Sequence, residues 1–140
     1  MKRSVTLILA VLLFALSIFP CALAENAAPR SSNFFTSYGT TLSNKGNGKL
    51  KIVFSTTGTA VCNQLGVASY EVQKLNDSGE WVDVSGQLSG SMGTNLTNYT
   101  FSRYFYGVSG ETYRVQVSFL CVINNACETQ TYTSGRITAN

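Results

Sequence analysis

From Glu111 to Cys121 the chain reads ETYRVQVSFLC, with an apolar residue at every second position. A strand sends successive side chains to opposite faces, whereas a helix would scatter this pattern around its circumference. Tyr113, Val115, Val117, Phe119 and Cys121 therefore share one face, and Arg114, Gln116, Ser118 and Leu120 share the other. One side is core and the other faces water. Elsewhere Gly, Ser, Thr and Asn interrupt the chain every few residues, and β-branched and aromatic residues fill the gaps, which leaves helices almost no room. Seven strand candidates emerge, near 34–42, 49–55, 67–75, 80–84, 98–105, 112–121 and 127–133. The expectation is an all-β fold, a single two-sheet antiparallel β-sandwich of about seven strands. SGQLSGSMGTN, residues 85–95, reads as a loose connection after the fourth strand.

The stretch YEVQKLNDSGEWVDV, from Tyr70 to Val84, reads as a hairpin whose register decides what it exposes. A three-residue Asp77-Ser78-Gly79 loop, with Gly79 in the left-handed position, sets Asn76 opposite Glu80, Lys74 opposite Val82 and Val72 opposite Val84. Tyr70, Val72, Val82 and Val84 then share the side expected to be buried. Leu75 faces Trp81 and Gln73 faces Asp83 on the outer side. A four-residue loop would instead mix apolar and charged residues on both faces, so the first register is the expectation.

Lys2 and Arg3 precede an apolar run from Val5 to Phe19 that ends in Ala22-Leu23-Ala24. This is the pattern of a secretory signal peptide, too short for a spanning helix of ~20 apolar residues. The expected organisation is a signal peptide over 1–24, a flexible lead over 25–32 and a β-sandwich domain over 33–140. Cys21 leaves with the signal. The remaining 116 residues hold eight basic against seven acidic side chains, a formal +1, and show no Lys/Arg cluster to track a nucleic acid or an anionic membrane. SGRITAN at the C-terminus is not an anchor, so a soluble, secreted product is expected. Three cysteines remain, Cys62, Cys121 and Cys127, which allow three different single bridges.

GETYRVQV, preceded by the aromatic strand NYTFSRYFYGV, resembles the tyrosine-corner region of fibronectin type III and related immunoglobulin-like sandwiches. The resemblance implies that the Tyr113 hydroxyl bonds back to upstream backbone. It also places the loop after the second strand and the end of the sixth at one end of the domain. That implies a Cys62–Cys121 bridge, with Cys127 as the alternative partner of either. Over nearly the whole secreted part, FFTSYGTTLSNKGNGKLKIVFS, LGVASYEVQK and YTFSRYFYGVSGETYRV are similar to a family of small secreted proteins of unknown function from Gram-positive bacteria. That likeness implies export and a bacterial source, and it transfers no activity and no functional residue.

Chemistry is narrowed by elimination. The chain has no histidine, so neither a Ser-His-Asp nor a Cys-His arrangement nor a His-containing zinc site can be assembled. Cys127 has no histidine to serve as its base. No metal, cofactor or catalytic residue is expected. What remains for catalysis is a carboxylate pair drawn from Glu71, Glu80 and Asp83 on the hairpin, as in glycoside hydrolysis. The other hint is aromatic: Trp81, Tyr104, Tyr106 and Tyr132 cannot all be buried when neighbours such as Tyr104 and Phe105 point to opposite faces. Trp81 and Leu75 beside Gln73, Arg114 and Gln116 form the candidate binding face. The leading expectation is a secreted, non-catalytic binding or adhesion module whose partner is a glycan, a cell wall or a protein surface. The alternatives are a structural or envelope-associated protein without a dedicated ligand, and a carboxylate-dependent glycosidase.

Overall fold

A computed structural model describes residues 32–140. The expected signal peptide and all but the last residue of the expected lead lie outside the described residues. Those described contain no helix and form one curled antiparallel sheet of eight strands. The strands are β1 (Phe35–Gly46), β2 (Lys49–Leu75), β3 (Trp81–Asp83), β4 (Leu88–Ser89), β5 (Met92–Tyr106), β6 (Thr112–Ile123), β7 (Ala126–Thr133) and β8 (Ile137–Thr138). The main order is β1-β2-β6-β7, with β3, β4 and β5 also on β2, and β8 on β6.

The organising element is β2. Its 27 residues would span roughly 90 Å if straight, at ~3.3 Å per residue. A domain of this size cannot contain such a rod, so the strand must bend. Its first part pairs with β1 on one edge and with β5, from Asn98 to Tyr106, on the other. Its second part, from Gln64 to Lys74, pairs with β6 on one edge and with β5, β4 and β3 in turn on the other. The ladder with β5 shifts register between Thr57 and Cys62, where the strand turns from one wing of the sheet into the other.

The apolar faces of the two wings meet. Leu50, Ile52 and Phe54 alternate inward from the first wing; Val67, Tyr70, Val72, Val115, Val117 and Phe119 do so from the second, and all are buried. Phe54 lies 4.9 Å from Tyr70 between ring centroids, and Tyr38 of β1 lies 5.5 Å from Phe119. The alternation read along β6 is reproduced in full, from Tyr113 to Cys121. The Tyr113 hydroxyl accepts a 2.8 Å hydrogen bond from the Val108 backbone N–H, and its ring packs on Phe105.

Three expectations need correction. The second and third strand candidates are one strand, because residues 58–61 between them are taken up where the ladder with β5 shifts register and the chain stays extended. Residues 85–95 are not a loose connection, since they hold β4 and the start of β5. The glycines that suggested a loop serve close strand approach there: a Cβ on Gly90 would run into the Val67 carbonyl. Finally, Val82 and Val84 are not buried. The expected register is present, with Gln73, Lys74 and Leu75 opposite Asp83, Val82 and Trp81, and with Gly79 at φ 79°. Yet β3 is a three-residue edge strand that pairs only with β2, and nothing from the other wing covers its inner side. Val82 is 37% and Val84 43% exposed, whereas Val72 in the middle of the sheet is 1% exposed.

Candidate functional site

The outer face of the second wing is built from the residues that alternate with its core. On β2 these are Ser69, Glu71 and Gln73, opposite Ser118, Gln116 and Arg114 of β6. Thr133 and Thr131 of β7 continue the rows from Gln116 and Ser118. Trp81 enters from β3 beside Leu75. The pairing thus brings the five candidate residues Gln73, Leu75, Trp81, Arg114 and Gln116 onto one surface.

At one end of this surface the Arg114 guanidinium lies 4.3 Å from the Trp81 ring centroid. Its Nε donates to Gln73 Oε1 at 2.8 Å, and Gln73 Nε2 donates to Glu71 Oε1 at 3.0 Å. Each group in this chain fixes the next. The stacked guanidinium is held by the ring, the amide is oriented by the guanidinium, and the carboxylate is oriented by the amide. Trp81 is half-buried, with its indole supported from beneath by this chain.

Beyond Glu71 the face hollows into a groove of about 390 Å³. Ser69, Glu71, Gln87, Gln116, Ser118, Thr131 and Thr133 line it, with Tyr70, Val117 and Tyr132 at its base. Gln87 Nε2 donates to Ser69 Oγ at 3.1 Å, which ties the segment before β4 to the wall. Among the described residues, the side chains of Gln116, Ser118, Thr131 and Thr133 have no hydrogen-bond partner, so their amide and hydroxyl groups are open to a ligand. Sequence reading found the Trp81 end of this surface and missed the groove. Its signal was the row of Ser and Thr at outward positions of β6 and β7.

The three acids proposed for catalysis are not gathered. Glu71 lines the groove. Asp83 Oδ1 accepts from the backbone N–H groups of Ser85 and Gly86, which closes the turn after β3. Glu80 is exposed in the hairpin loop, where its N–H donates to Asn76 Oδ1.

Cys62 and Cys121 are both fully buried, with Sγ atoms 2.8 Å apart. They are free thiols, and the separation exceeds the ~2.05 Å of a disulfide. The expected bridge is therefore a thiol contact here. Burial foremost, and then the hydrogen bond to Cys62, pushes the Cys121 thiol up to about 12. Cys127 is not opposite Cys121: the register puts Glu128 there and sets Cys127 against Val122.

Glu128 performs a different task. Its Oε2 accepts 3.1 Å hydrogen bonds from the backbone N–H groups of Asn33 and Phe34, which ties the start of β1 to β7. Burial raises its carboxyl, but hydrogen bonds from Ser32, Gln130, Phe34 and Asn33 together outweigh that effect and hold it below its ordinary value.

No protein-family model matches the chain, and no curated protein matches it. It is similar to one solved structure, a crystal structure of a protein from Archaeoglobus fulgidus, at 11% identity. The match covers 76% of this chain and 98% of that one, with a TM-score of 0.41.

Proposed function

We propose that the chain is a secreted, non-catalytic binding module that holds a glycan on the outer face of its second wing. The observation that carries this reading is the chain Trp81–Arg114–Gln73–Glu71 opening onto the groove. A sugar presents flat C–H faces and rings of hydroxyls. The first suits an aromatic ring, and the second suits a wall of open hydroxyls and amides beside one carboxylate oriented by Gln73. Asp83 is engaged in closing a turn, and Glu71 is the only carboxylate lining the groove, which supports binding over two-carboxylate hydrolysis.

In this reading the curled sheet is an immunoglobulin-like or fibronectin III-like sandwich, with β2 and β5 crossing between its layers. The Tyr113 to Val108 hydrogen bond supports it. Export would let Cys62 and Cys121 be oxidised to a bridge. Closing the 59-residue separation would stabilise the fold by about 4 kcal/mol in the chain-entropy model.

A glycan and cell-wall binding screen with wild type and Trp81→Ala tests the proposal. Binding that falls at least tenfold in the variant is expected, because truncating an aromatic anchor costs ~1 to 3 kcal/mol or more. Absence of any glycan ligand would refute it, as would a ligand indifferent to Trp81.

A further inference from the structure

The first wing carries a second surface. Lys49 and Lys51 alternate along β2 with the buried Leu50 and Ile52, so both point away from the core. They stand opposite Tyr106 and Tyr104 of β5. On the other side Lys51 faces Ser43 of β1, and Lys45 lies two residues further along, exposed. The Lys49 ammonium is 4.2 Å from the Tyr104 ring centroid and 5.4 Å from that of Tyr106. Both rings are open to solvent, at 50% and 72%.

Among the described residues, no Asp or Glu lies on β1, on β5 or on the first part of β2. The only ion pair among the described residues, Lys74 with Glu111 at 3.4 Å, belongs to the other wing. The described residues hold seven basic against six acidic side chains, and this near balance hides a segregation that corrects the expectation of no basic cluster. Lys45, Lys49 and Lys51 take part in no ion pair among the described residues, and a ligand of opposite sign would find their ammonium groups open.

We infer that this face binds an anionic polysaccharide, with Lys45, Lys49 and Lys51 on its charged groups and Tyr104 and Tyr106 under its sugar rings. The inference rests on the reading of the chain as a glycan-binding module and adds a second site of different charge preference. Two tyrosines on alternate positions of one strand stand about 7 Å apart and offer apolar rings with polar tips along the strand direction. A linear sugar chain can follow that line. Single-stranded nucleic acid, whose bases would stack on the same rings, is the competing occupant that a poly(dT) comparator tests. A bilayer would need apolar side chains to insert, and this face offers hydroxyl-tipped rings instead.

The test measures binding of the protein to immobilised polygalacturonate, with dextran, single-stranded poly(dT) and phosphatidylserine vesicles as comparators. Polygalacturonate should bind, and dextran should not bind at this face. Log affinity should fall against log salt with a slope no steeper than about −2 for three neutralised charges. Lys49→Gln with Lys51→Gln should weaken binding tenfold or more and flatten that slope. Tyr104→Ser with Tyr106→Ser should weaken binding at an unchanged slope, and Trp81→Ala should leave it intact. Equal binding to poly(dT) or vesicles would overturn the inference, as would affinity unmoved by either double variant. If Trp81→Ala removes polygalacturonate binding while the lysine variant does not, the charged ligand uses the groove: this inference falls and the module reading stands. If neither charged nor neutral glycans bind, both fall.

Discussion

Replacing Trp81 by Ala separates two accounts of the β2–β3 hairpin by their magnitude. In a core, losing a tryptophan costs ~3 to 5 kcal/mol. Here the ring is half-buried on an edge strand of three residues that pairs only with β2. The substitution removes the contact with the Arg114 guanidinium, about 0.5 to 1 kcal/mol near a surface. It also removes the cross-strand pair with Leu75, about 0.2 to 1 kcal/mol. The expected loss is therefore about 1 to 2 kcal/mol, with the fold retained. Urea denaturation followed by circular dichroism measures it, since the variant lacks the only tryptophan and with it the fluorescence probe. Adding Arg114→Ala completes a double-mutant cycle, whose coupling should be of the order of the cation–π contribution. A loss above 3 kcal/mol, or a coupling of zero, would refute the geometry argued for this face.

Thr40 and Thr56 have buried hydroxyls without a hydrogen-bond partner among the described residues, so Thr56→Val should raise stability by about 1 kcal/mol; a lower melting temperature would contradict this. Gly58→Ala should destabilise the protein, because a Cβ there meets Cys62 Sγ and the Ala60 carbonyl; an unchanged melting temperature would show that the thiol pair can move aside. Since the folded Glu128 carboxyl lies below its unfolded value, its contribution is fully present above the unfolded value of about 4.3 and is lost as pH falls through the folded one. Glu128→Gln should therefore flatten the acid limb of a melting temperature against pH profile, and identical limbs would remove Glu128 as the cause. Non-reducing peptide mapping of exported protein should find Cys62 joined to Cys121, and a free Cys62 thiol would exclude that pairing.

The parts of the fold legible in the sequence were those set by local rules. Period-two alternation fixed both faces of β6, and turn chemistry fixed the hairpin register through Gly79 at its positive φ. Asn76 added a feature that its position alone did not signal, accepting from the N–H groups of Ser78 and Glu80. Burial of Val82 and Val84 was not legible, because parity says which way a side chain points and not whether anything lies opposite. The groove was not legible either, since it depends on which strands become neighbours. The lysine face was a readable signal overlooked, as was the outward Ser and Thr row of β6 and β7: Lys45, Lys49 and Lys51 stand close together in a stretch without acids. A net charge averaged over the chain conceals it.

That β2 runs through both wings, with β5 beside it, has a consequence for how the protein comes apart. Strands β1, β3, β4, β5 and β6 all hydrogen-bond to β2, so the pairings of the two wings share this strand. Sub-global opening needs a boundary that few hydrogen bonds cross, and both β2 and β5 cross the boundary between the wings. Amide exchange should accordingly show the interior of β2 on both sides of Gly58 opening together, with the free energy of the whole protein, while β3, β4 and β8 fray independently. Because most partners of β2 come much later in the chain, folding must wait for distant segments to arrive, and it should be slow for a protein of this length.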